Sequence, residues 1–129
     1  MDNKKKILII EDDPFLSSII GVRLEKEGYT VAVATDGEAA LVSVEKELPD
    51  LILLDIVLPG MSGFDVLQAL KASKSLRDGS VMMFSNLGQE HEIEESKKLG
   101  ADEFLVKAKF TPFEILAKIQ ALLKAKEDV

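Results

Sequence analysis

The feature that most constrains this chain is the regular alternation of short apolar runs with segments of helical period. Five runs can form buried strands, at residues 6–10, 29–33, 51–54, 81–84 and 103–106. Each is followed by a longer segment in which apolar residues recur every three or four positions. Strands that alternate with helices form βαβ units, so the sequence predicts an α/β domain with a parallel sheet covered on both faces.

Capping and stop signals predict where several helices begin and end. Asp13 should cap the first helix, followed by Pro14 at its first position, and Gly28 should end it. Asp36 should cap the second helix, and the stretch that begins at Thr111 has the layout of a capping box. The residues predicted to face inward, helix by helix, are Leu16, Ile19, Ile20 and Leu24; Ala40, Leu41, Val44 and Leu48; Val66, Leu67 and Leu70; and Leu116, Ile119 and Leu123.

Residues 89–99 form the weakest of the predicted helices. Ile93 is its only strongly apolar residue before Leu99, and Gly100 follows as a stop. A helix with so thin an apolar stripe packs weakly and is the best candidate for a mobile element. Periodicity alone favours the simpler interpretation of a solvated surface helix.

Composition excludes several classes of function. The chain has 129 residues, no cysteine and a single histidine, which excludes disulfides and thiolate metal sites and disfavours a histidine zinc site. The net charge of −7 opposes direct binding of nucleic acid. No apolar run is long enough for membrane insertion, and the apolar run after the basic start is too short for a signal peptide. We therefore expect one cytoplasmic domain.

Polar residues stand where the predicted strands end. Glu11 and Asp12 follow the first strand, Asp55 the third, Ser85 the fourth and Lys107 the fifth. In an open parallel sheet, ligands bind beyond the carboxyl ends of the strands. Carboxylates about 4 Å apart repel by about 4 kcal/mol, and a hard cation such as Mg²⁺ relieves this repulsion. Such a site would leave Asp55 as an oxygen nucleophile suited to an arriving phosphoryl group.

Each of these residues also has a simpler interpretation. Asp13 is mainly a helix cap, Ser85 alone is most often a turn serine, and Lys107 alone is usually a surface lysine. Asp55 is the hardest to explain in this way, because its apolar neighbours predict burial and buried carboxylates need a partner. The joint position of these residues at successive strand ends is the stronger signal.

The pattern resembles the receiver domain of two-component response regulators over essentially the whole chain. The residues that carry the resemblance are "ILIIEDDP", "DLILLDIVLPGMSG", "MMFSN" and "FLVK", in the family's order and spacing. The resemblance implies a flavodoxin-like (βα)5 fold with strand order 2-1-3-4-5. It also implies transfer of a phosphoryl group from a phosphohistidine of a sensor kinase or phosphotransfer protein to an aspartate, without activity as an enzyme on other substrates.

Carried over by position, the resemblance assigns a role to each site residue. It makes Asp55 the phosphoacceptor. The expected Mg²⁺ ligands are the carboxylates of Glu11, Asp12 and Asp55 and the backbone carbonyl of Val57. Ser85 and Lys107 are expected to contact the phosphoryl group, and Phe104 takes the aromatic switch position, where many relatives have tyrosine.

The resemblance further implies that Ser85 moves toward the phosphoryl group and that Phe104 turns inward. The surface of the fourth helix, fifth strand and fifth helix would then change and bind a downstream protein. The chain departs from the family at Ala108, where proline is usual, and at Asn86, where a small residue is common. The first departure bears on the reach of Lys107 and the second on access to Asp55.

Other hypotheses stay open at this point. Residues 1–129 are expected to be a single receiver domain without an output domain, although a receiver excised from a longer protein would look the same. A pseudo-receiver that serves as a constitutive interaction module is one alternative, and a flavin-binding electron carrier is another. A weak dimer is as compatible with the sequence as a monomer.

Overall fold

Five parallel strands form one sheet in the order β2-β1-β3-β4-β5, which confirms the flavodoxin-like α/β fold. The computed structural model describes residues 4–73 and 79–127. The strands are β1 (Lys6–Ile10), β2 (Thr30–Ala34), β3 (Leu51–Leu54), β4 (Ser80–Ser85) and β5 (Glu103–Val106). The helices are α1 (Pro14–Lys26), α2 (Gly37–Lys46), α3 (Gly63–Ala72), α4 (Glu90–Lys98) and α5 (Pro112–Glu127), with a 3-10 turn at Lys107–Lys109.

The strands divide the interior into two apolar layers because neighbouring residues point to opposite faces of the sheet. On one face, Leu8 and Ile10 pack with buried residues of α2 and α3. On the other face, Ile7 and Ile9 pack with buried residues of α1 and α5. Every residue of β3 is buried, so this central strand carries the next residue in the chain, Asp55, to the middle of the sheet edge.

The helix signals are confirmed at most positions. The Asp13 side chain accepts hydrogen bonds from the first turn of α1, and Asp36 caps α2. The capping box of α5 is present, with reciprocal bonds between Thr111 and Glu114 at 2.8 and 3.2 Å. Gly28 adopts a positive φ of 94° just beyond α1, a conformation that favours glycine. The local signals therefore placed these helix ends correctly.

Two residues predicted to face inward are exposed. Ile19 is 38% exposed because α1 turns Ser17, Ile20 and Gly21 toward the sheet instead, and the small residues allow close approach. Leu48 is 49% exposed because α2 ends at Lys46, before the apolar period reaches it. The predicted second strand is also displaced by one residue.

The α4 helix has the thin apolar stripe that the sequence predicts. Ser96 is its only fully buried residue, and Ile93 is half-buried. The Ser96 hydroxyl donates to the Glu92 carbonyl at 2.9 Å, so its burial leaves no unpaired group. In the ranges 4–73 and 79–127, no helix has the length and apolar character needed to cross a membrane.

Candidate functional site

The predicted site residues meet at the carboxyl edge of the sheet. Ile10 pairs with Leu54 in the register of β1 and β3, so the next residues, Glu11 and Asp55, leave adjacent strands side by side. The Asp55 N–H donates to the Ile10 carbonyl at 3.1 Å, which extends the ladder beyond β3 and holds the two acidic residues together. Both are buried, with Glu11 2% and Asp55 4% exposed.

Lys107 reaches this edge from the end of β5 and contacts both buried carboxylates. Its Nζ atom lies 2.7 Å from Asp55 Oδ2, to which it donates a hydrogen bond, and 2.6 Å from Glu11 Oε1. The ammonium also lies 5.5 Å from the centre of the Phe84 ring, within the range of a cation–π contact. The sequence predicted Lys107 at this edge of the sheet, whereas it did not predict the Phe84 contact.

Burial and charge set the protonation of this pair. Burial raises the pKa of Glu11 above its ordinary value of 4.5, and the contacts with Lys107 and the Asp13 N–H only partly oppose it. Burial by itself lowers the pKa of Lys107, but contacts with Asp55 and Glu11 outweigh it and raise the pKa above 10.5. Lys107 therefore stays charged at neutral pH, while Glu11 is easier to protonate than an ordinary glutamate.

The acidic residues fit a divalent cation. Glu11, Asp12 and Asp55 each place a carboxylate oxygen so that these atoms lie within 4.8 Å of one another. Three carboxylates and one ammonium leave an excess of negative charge. Glu11 Oε1 is buried, and the Lys107 ammonium at 2.6 Å is its partner. An all-oxygen donor set with this excess of negative charge suits Mg²⁺.

Asp12 and Asp13 have different surroundings although they are neighbours. Asp12 is exposed and faces the acidic group, which makes it the accessible member of the cluster. Asp13 Oδ1 accepts the N–H of Phe15 at 3.0 Å, so its side chain is committed to α1. The interpretation of Asp13 as a helix cap is therefore confirmed.

The loop after β3 holds the Asp55 carboxylate in place. The Val57 N–H donates to Asp55 Oδ1 at 3.2 Å, while Lys107 occupies the other oxygen. Gly63 opens α3 so close to β3 that a Cβ atom there would collide with the Asp55 backbone carbonyl. Val57 itself is exposed, and the role of its carbonyl as a metal ligand stays a prediction.

Ser85 ends β4 at the same edge and is 1% exposed. Its Oγ atom accepts the N–H of Leu87 at 3.2 Å, which is the turn-serine contact that the simpler interpretation predicts. The next residue, Asn86, accepts the N–H of Ala108 at 3.0 Å through Oδ1. Sequence reasoning noted both departures from the family at these positions but did not connect them, although a proline at 108 would have had no N–H to donate.

Phe104 lies on β5, opposite Met83 of β4, and is half-buried. It lines a cavity of about 250 Å³ between α4 and β5, together with Ile93 and Ser96. The aromatic residue therefore stands beside the thinly packed helix rather than at the carboxylates. Its role in switching stays a prediction. The peptide bonds of the described residues, including those around Ala108, are all trans.

Comparison with known proteins identifies the family of this domain. Residues 7–120 match the response regulator receiver domain family. The chain is 35% identical over 125 residues to the DNA-binding response regulator MtrA of Mycolicibacterium smegmatis, and 40% identical over 119 residues to the DNA-binding dual master transcriptional regulator RpaA of Synechocystis sp.. These alignments cover 97% and 92% of this chain but 53% and 49% of the relatives, so it spans about half their length.

A solved structure agrees over nearly the full length of both chains. The response regulator receiver domain protein (CheY-like) of Methanospirillum hungatei JF-1 superposes with a TM-score of 0.91 at 29% identity. The match covers 98% of this chain and 98% of that chain. The strand order therefore belongs to an architecture that this family has in common.

Proposed function

Because the chain belongs to the response regulator receiver domain family, we propose that Asp55 accepts a phosphoryl group from a phosphohistidine of a sensor kinase or phosphotransfer protein. The observation that carries this proposal is the buried Asp55 carboxylate, which contacts the Lys107 ammonium at 2.7 Å beside two further carboxylates. A carboxylate buried for structure alone has no need of an acidic cluster around it.

The proposed reaction forms one bond and breaks another. An Asp55 oxygen attacks the phosphorus atom, and the P–N bond to the donor imidazole breaks with its electron pair passing to nitrogen, which takes up a proton. Lys107 is placed to pair with a phosphoryl oxygen, since its Nζ already contacts the attacking carboxylate. The Val57 N–H keeps the carboxylate oriented during the attack.

A Mg²⁺ ion held by Glu11, Asp12, Asp55 and the Val57 carbonyl would neutralise charge on the transferring group. The residues themselves supply the reason for a cation, because the Lys107 ammonium balances one of the three carboxylate charges at most. Burial of Glu11 makes this repulsion costly, so the cluster is poised to gain a counter-ion.

The signal would leave the site through Ser85. Phosphorylation adds charge and acceptor oxygens at Asp55. The Ser85 hydroxyl, whose oxygen accepts the Leu87 N–H, would donate its own O–H to a phosphoryl oxygen. The loop leads directly into α4, whose packing is thin, and Phe104 lines the cavity beneath it. The changed face of α4, β5 and α5 is where we expect a downstream protein to bind.

The test is intact mass of the protein after incubation with a small phosphodonor, with and without Mg²⁺. We expect a gain of one phosphoryl group that requires Mg²⁺ and is absent from Asp55→Asn. A matched control is Asp50→Asn, because Asp50 lies at the opposite end of β3 and, among residues 4–73 and 79–127, its side chain accepts a hydrogen bond only from the Lys6 N–H. A folded protein that gains no phosphoryl group from an active donor would instead support a constitutive interaction module.

A further inference from the structure

Beyond the last paired residues of β4 and β5, a side chain continues the link between the two strands. The register ends at Ser85 and Val106. The Ala108 N–H then donates to Asn86 Oδ1 at 3.0 Å and so joins the loop after β4 to the turn after β5. A backbone N–H can meet only the oxygen of an asparagine amide, which fixes the orientation of this side chain.

The two loops touch at a second point. Gly88 lies so close to Val106 that a Cβ atom at this position would collide with the valine side chain. The segment after β4 is therefore held against the end of β5 by packing at Gly88 and by a directed hydrogen bond at Asn86. The hydrogen bond joins the residue after Ser85 to the residue after Lys107.

We propose that Asn86 is a positioning residue, which holds the turn at Lys107–Lys109 against the Ser85 loop and so keeps the Lys107 ammonium at the Asp55 carboxylate. This inference rests on the proposed function, because it concerns the rate at which Asp55 is phosphorylated. In this proposal Asn86 does not touch the reacting atoms and acts through Lys107.

The position of the hydrogen bond explains why its effect falls on Lys107. Ala108 is the next residue in the chain, so a bond at its N–H fixes the point from which the long lysine side chain starts. That side chain reaches Glu11 Oε1 at 2.6 Å and Asp55 Oδ2 at 2.7 Å. A flexible side chain keeps two such contacts more often when its backbone is held.

The same bond couples the two residues that are expected to meet the phosphoryl group. Asn86 follows Ser85 directly, so a displacement of the Ser85 loop is carried to Ala108 and hence to the Lys107 turn. Both Asn86 and Ala108 are exposed, so water can replace the bond at little cost in stability. The consequence should therefore appear in the reaction rate rather than in the free energy of unfolding.

Three substitutions separate this tether from a steric effect of Asn86 on access to the site. Asn86→Ala removes both the acceptor and the bulk, Asn86→Leu removes the acceptor and keeps the bulk, and Asn86→Asp keeps the acceptor. We expect Ala and Leu both to slow adduct formation from a small phosphodonor in Mg²⁺, by roughly three- to tenfold, the range open to one neutral hydrogen bond. Asp should stay within about twofold of the parent at an ionic strength that screens its charge.

A faster reaction of the Ala variant together with a slower reaction of the Leu variant would overturn the proposal. That result would show that space near Asp55, not the tether, controls the rate. Rates within twofold of the parent for all three variants would overturn it as well. A slow Asp variant at screened ionic strength would count against it, since the retained acceptor should rescue the reaction.

A measurement on the unphosphorylated protein keeps this test separate from the proposed function. The Ala108 amide proton should exchange more slowly with solvent in the parent and the Asp variant than in the Ala and Leu variants. Backbone ¹⁵N relaxation should show increased motion at Lys107–Lys109 in the latter two. If the parent protein takes up no phosphoryl group, the proposed function fails, while unequal exchange still shows the tether and equal exchange refutes it.

Discussion

Replacement of Lys107 by methionine tests the electrostatic account of the site. Methionine is apolar and of similar length, so Lys107→Met removes the ammonium that contacts Asp55 and Glu11 at 2.7 and 2.6 Å and leaves little empty space. Two carboxylates that are 4% and 2% exposed then face each other without this counter-charge. We expect the variant to be markedly less stable in the absence of divalent cations.

The magnitude follows from the geometry. At an effective dielectric constant near 20, each of the two contacts is worth about 6 kcal/mol before the cost of desolvation. Removal of one partner from a buried ion pair typically costs about 3 to 5 kcal/mol. The Lys107 side chain is 16% exposed, so water can reach the gap, and Glu11 can take up a proton. We therefore expect a loss near the lower end, about 3 kcal/mol at neutral pH.

The loss should depend on pH with a definite sign. The pKa of Lys107 is raised above 10.5 in the folded protein, so its contribution is complete below that pH and is lost as pH rises through the raised value. The difference between the parent and Lys107→Met should therefore vanish in strong alkali. It should also shrink in acid, where protonated carboxylates no longer need a counter-charge.

Urea unfolding followed by circular dichroism, in buffer with a chelator, measures this difference. Lys118→Met is the matched control, because Lys118 is 46% exposed and lies 3.9 Å from its partner Glu103. Its loss should stay within about 0.5 kcal/mol. Added Mg²⁺ should restore part of the stability of Lys107→Met. Equal losses for the two variants would show that the reasoning about the buried charges is wrong.

Three further predictions concern the same edge of the sheet. In chelator, the raised pKa of Glu11 makes the folded protein bind more protons than the unfolded chain, so the contribution of Glu11 to stability falls as pH rises above 4.5. Glu11→Gln should therefore flatten the pH dependence of the free energy of unfolding, and an unchanged slope would contradict this. Gly63→Ala should cost about 3 kcal/mol by urea unfolding, because its Cβ would collide with the backbone. Gly60→Ala, which has open space but a φ of 76°, should cost about 1 kcal/mol, and the reverse order would refute the packing argument. Asp12→Asn should weaken Mg²⁺ binding in calorimetry by roughly tenfold or more, whereas Asp13→Asn, which can still cap α1, should not.

The strands and helices of this fold could be predicted from local sequence patterns, because interactions between residues close in the chain form them. Strand β3 is apolar at every position, and Asp13, Asp36 and Thr111 satisfy the N–H groups that each new helix leaves unpaired. Such signals depend on residues one to four positions apart. The strand ends then place Glu11, Asp12, Asp55, Ser85 and Lys107 at one edge once the strand order 2-1-3-4-5 is assumed.

Local patterns were insufficient where packing decides between neighbouring positions. The sequence could not show that α1 buries Gly21 and leaves Ile19 exposed, because the rotation of a helix depends on how closely it approaches the sheet. Nor could it show that α2 ends before Leu48. In both cases an apolar side chain, Ile19 or Leu48, lies next to the buried face of its helix in sequence but outside it in the structure.

The amino-acid sequence by itself determined the residue types at the strand ends, and with them the acidic character of the site and its suitability for a divalent cation. Only the tertiary structure decided which atoms meet. The contact of Lys107 with Asp55 joins residues 52 positions apart, and that of Asn86 with Ala108 joins residues 22 apart. Such pairs depend on strand register and on the path of two loops to within an ångström, because a displacement of that size takes a hydrogen bond out of its normal range of distances.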